Sequence, residues 1–183
     1  MNTLWYLTRA SGTTSLLLLT LAVLLGVITS MDGTVPGLPR FVTGAVHRNV
    51  SLLALVFLGL HITTTVVDGY APIGWIDGVV PFISGYHPLE LGVGTLAFDL
   101  ILASIATSML RSRIGYPVWR TVHLSAYLCW PIALLHGITI GTDRAEAWML
   151  VVDAICVGVV LVAVVARAMR RRARVDGRLE PVR

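Results

Sequence analysis

The chain of 183 residues has no lysine, and only 13% of its residues are charged. A soluble domain carries about 25% charged residues. Here 56% of residues are hydrophobic and the mean hydropathy is +0.81. That balance excludes an ordinary soluble domain and indicates an integral membrane protein. Cysteine is scarce as well. Cys129 and Cys156 both lie in apolar runs and form no C-x-x-C spacing, which excludes a thiolate metal cluster and a disulfide framework. Both read as packed thiols. All fourteen basic residues are arginine, a usage that fits a GC-rich bacterial coding bias. Seven of them fall in the last seventeen residues. The net charge of +4 is therefore concentrated in a tail suited to anionic lipid headgroups rather than to nucleic acid.

What remains is mostly long apolar runs. A spanning helix needs about twenty such residues, and five segments qualify: 13–31, 46–67, 91–110, 119–140 and 146–168. Lipid offers no partner to a free backbone N–H or C=O, so each must be helical. The expected fold is all-α, a membrane bundle of five transmembrane helices over residues 1–168, followed by an Arg-rich tail at 169–183. The connections alternate in arginine. Arg40 marks 32–45, and Arg111 and Arg113 mark 111–118, whereas 68–90 has none and 141–145 has only Arg144. The positive-inside rule then places the tail in the cytoplasm and, after five spans, the N-terminus outside. Reading the first apolar run as a cleaved signal peptide inverts that bias.

Two spans carry histidine in pairs. His47 and His61 are fourteen residues apart on the second span; His123 and His136 are thirteen apart on the fourth. These spans run in the same direction, so the histidines match in depth, with His47 and His123 near the cytoplasmic face and His61 and His136 near the outer face. At about 1.5 Å per residue, both pairs are separated by about 20 Å along the helix. Fourteen residues return to within about 40° of one face, while thirteen leave about 140°. Pro131 lies between His123 and His136 and is expected to rewind the helix there. Two facing histidines at each of two depths suit two b-type hemes, each iron held by two axial imidazoles within the bundle core. Gly59 and Gly137, beside the outer ligands, would allow a flat macrocycle close approach. Arg48 and Arg120 near the inner pair, and Arg144 near the outer pair, are candidates to hold heme propionates.

The four-histidine spacing resembles the ferric reductase-like transmembrane domain. That family includes the membrane part of NADPH oxidases, ferric-chelate reductases, and the heme-binding subunit of a bacterial methionine sulfoxide reductase system. The resemblance covers about residues 13–168. It implies His47 and His123 as ligands of an inner heme iron and His61 and His136 as ligands of an outer one. It also implies transmembrane electron transfer in a bacterial plasma membrane. The family usually has six spans with ligands on the third and fifth, so this chain corresponds to that fold without its first helix. The sequence shows no nucleotide-binding motif. The implied donor is therefore a separate flavin-containing or NAD(P)H-dependent reductase, or a membrane quinol. The implied acceptor is ferric iron, oxygen or a periplasmic redox protein. The chain would then be the cytochrome b component of an oxidoreductase. The competing class is a heme-binding sensor or a heme or ion transporter, but no convincing internal repeat of the transporter kind is visible. A further alternative is a single-heme subunit with one idle pair.

Other polar residues stand in apolar settings. Asp99 and Asp153 lie inside spans, where a carboxylate is costly unless paired or protonated. They read as a proton relay, as support for the outer histidines, or as helix-to-helix hydrogen bonds. Trp130 and Phe57 lie between the two histidine depths. The connection holding Trp75, Asp77, Phe82, Tyr86, His87 and Glu90 reads as an interfacial cap.

Overall fold

The computed structural model describes residues 3–31, 39–175 and 177. Its long helices are α1 (Thr3–Ser30), α2 (Arg40–Asp68), α3 (Pro88–Met109), α5 (Tyr116–Ile140) and α6 (Ala147–Val175). A short α4 (Arg111–Ile114) turns the chain between α3 and α5. No strand occurs among the described residues. All five long helices are long and apolar enough to cross a membrane, which matches the five expected segments. The connection at 32–38 and the end of the tail at 178–183 lie outside the described residues.

Several helices are longer than their apolar runs. α1 begins ten residues before the expected start and carries Arg9 within it. α6 continues through Arg170, Arg171 and Arg172, so the first part of the Arg-rich tail is helical. A basic segment continues a helix readily because arginine has good helix propensity. The ends follow local chemistry. Gly69, at φ 67°, closes α2 in the left-handed conformation that glycine tolerates. Pro88 opens α3 at its first position, where a missing N–H costs nothing.

The helices pair as two hairpins. α1 packs most extensively on α2, and α3 on α5, while α6 lies against α1. Small buried residues, Ala97 and Cys129, form the centre of one cluster with Ile101, joined by Leu19, Leu55 and Leu58. Leu16, Trp130, Cys156 and Val160 form a second cluster that docks α6. Trp130 donates its indole N–H to Thr20 Oγ1 at 2.8 Å, a buried bond from α5 to α1. Trp130 is thus part of the core. Both cysteines are buried free thiols. Serine and threonine hydroxyls mostly bond back to the carbonyl four residues earlier, as at Ser15, Thr20 and Thr64. That habit satisfies hydroxyls where lipid offers no partner. Large apolar side chains such as Leu52, Val56, Leu128 and Val162 point outward, as a lipid-facing surface requires.

Candidate functional site: two histidine pairs

α2 and α5 bring their histidines together at two depths. The His47 and His123 rings lie 6.1 Å apart between centroids, and the His61 and His136 rings 6.4 Å apart. The ring planes are close to perpendicular in both pairs, at 80° and 84°. α5 stays helical through Pro131, yet both of its histidines meet α2. Pro131 has no N–H to give the Tyr127 carbonyl, so the helical ladder is broken between the two histidines.

Each histidine is held through Nδ1 by the helix packed beside it. His61 Nδ1 lies 2.8 Å from the Thr8 carbonyl, and His47 Nδ1 lies 3.0 Å from the Ala22 carbonyl, both on α1. His136 Nδ1 lies 2.8 Å from the Glu90 carbonyl on α3. A carbonyl can only accept, so these three imidazoles carry their proton on Nδ1. His123 Nδ1 instead meets the hydroxyl of Ser104, also on α3, at 3.2 Å. No hydrogen bond reaches any of the four Nε2 atoms among the described residues. An Nδ1–H fixed on a backbone carbonyl, with Nε2 left to ligate, is the usual outer-shell arrangement of a metal-binding histidine.

Glycines on α1 and α3 let the imidazoles pack closely, at positions other than Gly59 and Gly137. A Cβ on Gly12 would sit 2.9 Å from His61 Nδ1, and one on Gly94 would sit 2.5 Å from His136 Nδ1. A Cβ on Gly26 would lie 3.5 Å from the His47 ring. Each of these glycines is four residues after the carbonyl that accepts from the same histidine. A Cβ on Gly59 or Gly137 would meet no protein atom within 4 Å. Gly137 does line a cavity around the His61–His136 pair, together with Leu19, Leu58, Ala97 and Ile101. That cavity also reaches Arg9 and Arg144.

The two ends differ. At the His61–His136 end, Arg9 forms an ion pair with Asp143 and stacks its guanidinium 4.0 Å above the Trp5 ring. The loop before α3 covers the same end. Thr95 Oγ1 donates to the Asp77 carbonyl at 2.7 Å, and Phe82 packs so closely on Gly92 that a Cβ there would strike its ring and backbone. Asp68, Tyr70 and Tyr86 line the cavity from this loop region. His87 stands apart from the histidine pairs, exposed, 3.8 Å from Glu90 Oε2 and edge-on to the Tyr86 ring. At the other end, Trp119 stacks on His123 at 5.0 Å, and Arg111 lies 4.2 Å above Trp119. Arg167 donates to Tyr127 Oη at 3.0 Å, and Tyr127 Oη lies beside Gly26 and His47. The Arg48 and Arg120 side chains are exposed and make no hydrogen bond or ion pair among the described residues.

The intramembrane carboxylates do not support the histidines. Asp153 is buried, and neither of its oxygens has a hydrogen-bond partner among the described residues. The Nδ1 positions of the outer histidines, one of the roles open to Asp99 and Asp153, are taken by the Thr8 and Glu90 carbonyls. Backbone carbonyls have no sequence signature, which is why those partners are invisible before folding.

Each pair leaves room for one metal ion between its rings: two metal–imidazole bonds of about 2 Å, plus the reach of each ring, would need centroids about 6 Å apart, and they lie 6.1 and 6.4 Å apart. Two imidazoles are too few for a bare zinc site, and no group of three or more metal-ligating side chains occurs among the described residues. An iron whose remaining ligands came from a porphyrin would satisfy both facts.

The sequence profile of the ferric reductase like transmembrane component matches residues 11–134. That stretch includes His47, His61 and His123 and stops two residues before His136. No individual curated protein and no solved structure matches the chain significantly. With more than half its length matched, and five apolar helices to carry it, the chain is a multi-pass membrane protein that belongs to the ferric reductase like transmembrane component family.

Proposed function

We propose that the chain carries electrons across a membrane through two bis-histidine b-type hemes. The observation that supports this most is the pairing of four histidines at two depths, each with Nδ1 engaged and Nε2 free. His47 and His123 hold the heme nearer the cytoplasm, and His61 and His136 the one nearer the outer face. The arginine distribution supports that orientation, with the N-terminus outside and the tail within. Bound there, heme iron supplies a reversible one-electron change at each depth.

The protein does the rest. The Thr8, Ala22 and Glu90 carbonyls fix the tautomer and direction of three ligands. The apolar cluster of Leu19, Leu55, Leu58, Ala97 and Ile101 excludes water between the two depths. Arg48 and Arg120 at the cytoplasmic end, and Arg144 at the outer end, supply charge for propionate carboxylates. The donor is a separate flavin-containing or NAD(P)H-dependent reductase, or a membrane quinol. The acceptor is ferric iron, oxygen or a periplasmic redox protein, met under the loop that carries Tyr70 and Tyr86.

Proteoliposomes test the transfer itself. With ferricyanide enclosed and an impermeant reductant outside, the heme-loaded protein is expected to bleach the enclosed ferricyanide. Bleaching no faster than in protein-free vesicles would overturn the electron-carrier reading.

A further inference from the structure

The four histidine sites repeat one local design, and one of them departs from it. On α1 the acceptor carbonyls are Thr8 and Ala22, fourteen residues apart, with Gly12 and Gly26 four residues beyond. On α3 the matching positions are Glu90 and Ser104, again fourteen apart, followed by Gly94 and Ser108. α1–α2 and α3–α5 are thus structural counterparts, although no sequence repeat is visible. Three sites use a carbonyl and a glycine. At the fourth, serine stands where glycine would be.

That serine alters the partner. Ser108 Oγ donates to the Ser104 carbonyl at 2.7 Å, and Thr107 Oγ1 reaches the same oxygen at 3.2 Å. The carbonyl that the other three sites offer to histidine thus accepts from two hydroxyls here, whereas the Thr8 carbonyl accepts from one, Ser11 Oγ at 3.1 Å, and still takes His61. His123 turns to the buried Ser104 hydroxyl, at the longest of the four Nδ1 distances. For Nε2 to ligate iron, Nδ1 must donate and this hydroxyl must accept.

We propose that Ser104 is a positioning residue that makes His123 the least basic of the four ligands, and so raises the midpoint potential of the inner heme relative to the outer one. This rests on the two-heme reading. A carbonyl acceptor pulls on the Nδ1 proton and strengthens the imidazole as a donor to ferric iron. A hydroxyl does so more weakly, and second-shell hydrogen bonding is one of the levers that set heme potential. Arg111, stacked on Trp119 and through it on His123, adds positive charge on the same side and also favours the reduced state. The inner and outer sites are unequal by construction, with the inequality placed on α3.

Redox titration of the heme-loaded full chain tests this, with the outer midpoint identified in a His123→Ala variant. Wild type is expected to show two midpoints, the inner one higher. Ser104→Ala should raise the inner midpoint further, or empty that site by about tenfold in heme retention, and leave the outer midpoint in place. Ser104→Thr keeps the hydroxyl and should behave as wild type. Thr107→Val/Ser108→Gly removes both hydroxyls from the Ser104 carbonyl and should lower the inner midpoint, while Ser108→Gly alone also strips the acceptor of the Trp119 indole N–H and should lower it less. If Ser104→Ala and Thr107→Val/Ser108→Gly leave the inner midpoint unmoved, or shift both midpoints alike, the proposal is overturned while the two-heme reading stands. If wild type takes up no heme, both fall.

Discussion

The His61–His136 pair and the His47–His123 pair have nearly the same ring geometry and very different surroundings. The first lies in a cavity, on two glycines, anchored to two carbonyls, under a loop locked onto α3. The second has one carbonyl and one hydroxyl, and an aromatic and arginine stack on its α5 histidine. Histidine spacing alone therefore does not define a site. The neighbouring helix decides how tightly each imidazole is held and how much room surrounds it.

Substitutions at the glycines should break the comparison most sharply. Gly94→Ala places a Cβ 2.5 Å from His136 Nδ1, so the ring must leave its position. Loss of the heme bound by His61 and His136 is expected, with the other retained, read as halved heme per chain. Gly12→Ala, at 2.9 Å from His61, should weaken the same site less, with a fall in heme retention of about tenfold. Gly26→Ala meets His47 only at ordinary contact distance, 3.5 Å, and should keep both hemes. This graded series distinguishes crowding at the imidazole from a general intolerance of side chains on α1 and α3.

Smaller effects probe the scaffold that both pairs share. Thr20→Val removes the acceptor of the buried Trp130 N–H. It should cost about 1 kcal/mol, within the range of interhelical hydrogen bonds in membrane proteins, seen as a lower thermal midpoint with heme content unchanged. The smallest expected effect is at the Arg9–Asp143 pair. Removing both partners in Arg9→Ala/Asp143→Ala should cost about 1 kcal/mol or less and leave heme content intact. A larger loss confined to the His61–His136 site would show that this ion pair holds the site closed.

Much of this was legible in the sequence, and the reasons for the rest are physical. The five spans follow from apolar run length, and the depth match of the histidines follows from helical rise. The helix ends did not, because Trp5, Tyr6 and Arg9 suit an interface as well as a helix. The short α4 at Arg111–Ile114 carries no apolar signal. Gly59 and Gly137 drew notice as room for a macrocycle beside His61 and His136; the glycines that touch imidazole lie on other helices and drew none. A signal was present for them: Gly12 and Gly26 are fourteen apart, the spacing of His47 and His61, and Gly94 and Ser108 repeat it. The acceptor carbonyls had none, since every residue has one. Ser104 was hidden among many serines whose hydroxyls serve only their own helix.

The central claim is that four histidines make two separate heme sites. Heme per chain, measured on purified wild type and on single alanine variants of His47, His61, His123 and His136, tests it most directly. The account predicts two hemes in wild type and one in every variant. His47→Ala and His123→Ala should share one residual spectrum, and His61→Ala and His136→Ala the other. Wild-type protein that takes up no heme when heme is abundant, or variants that all retain the wild-type content, would contradict it.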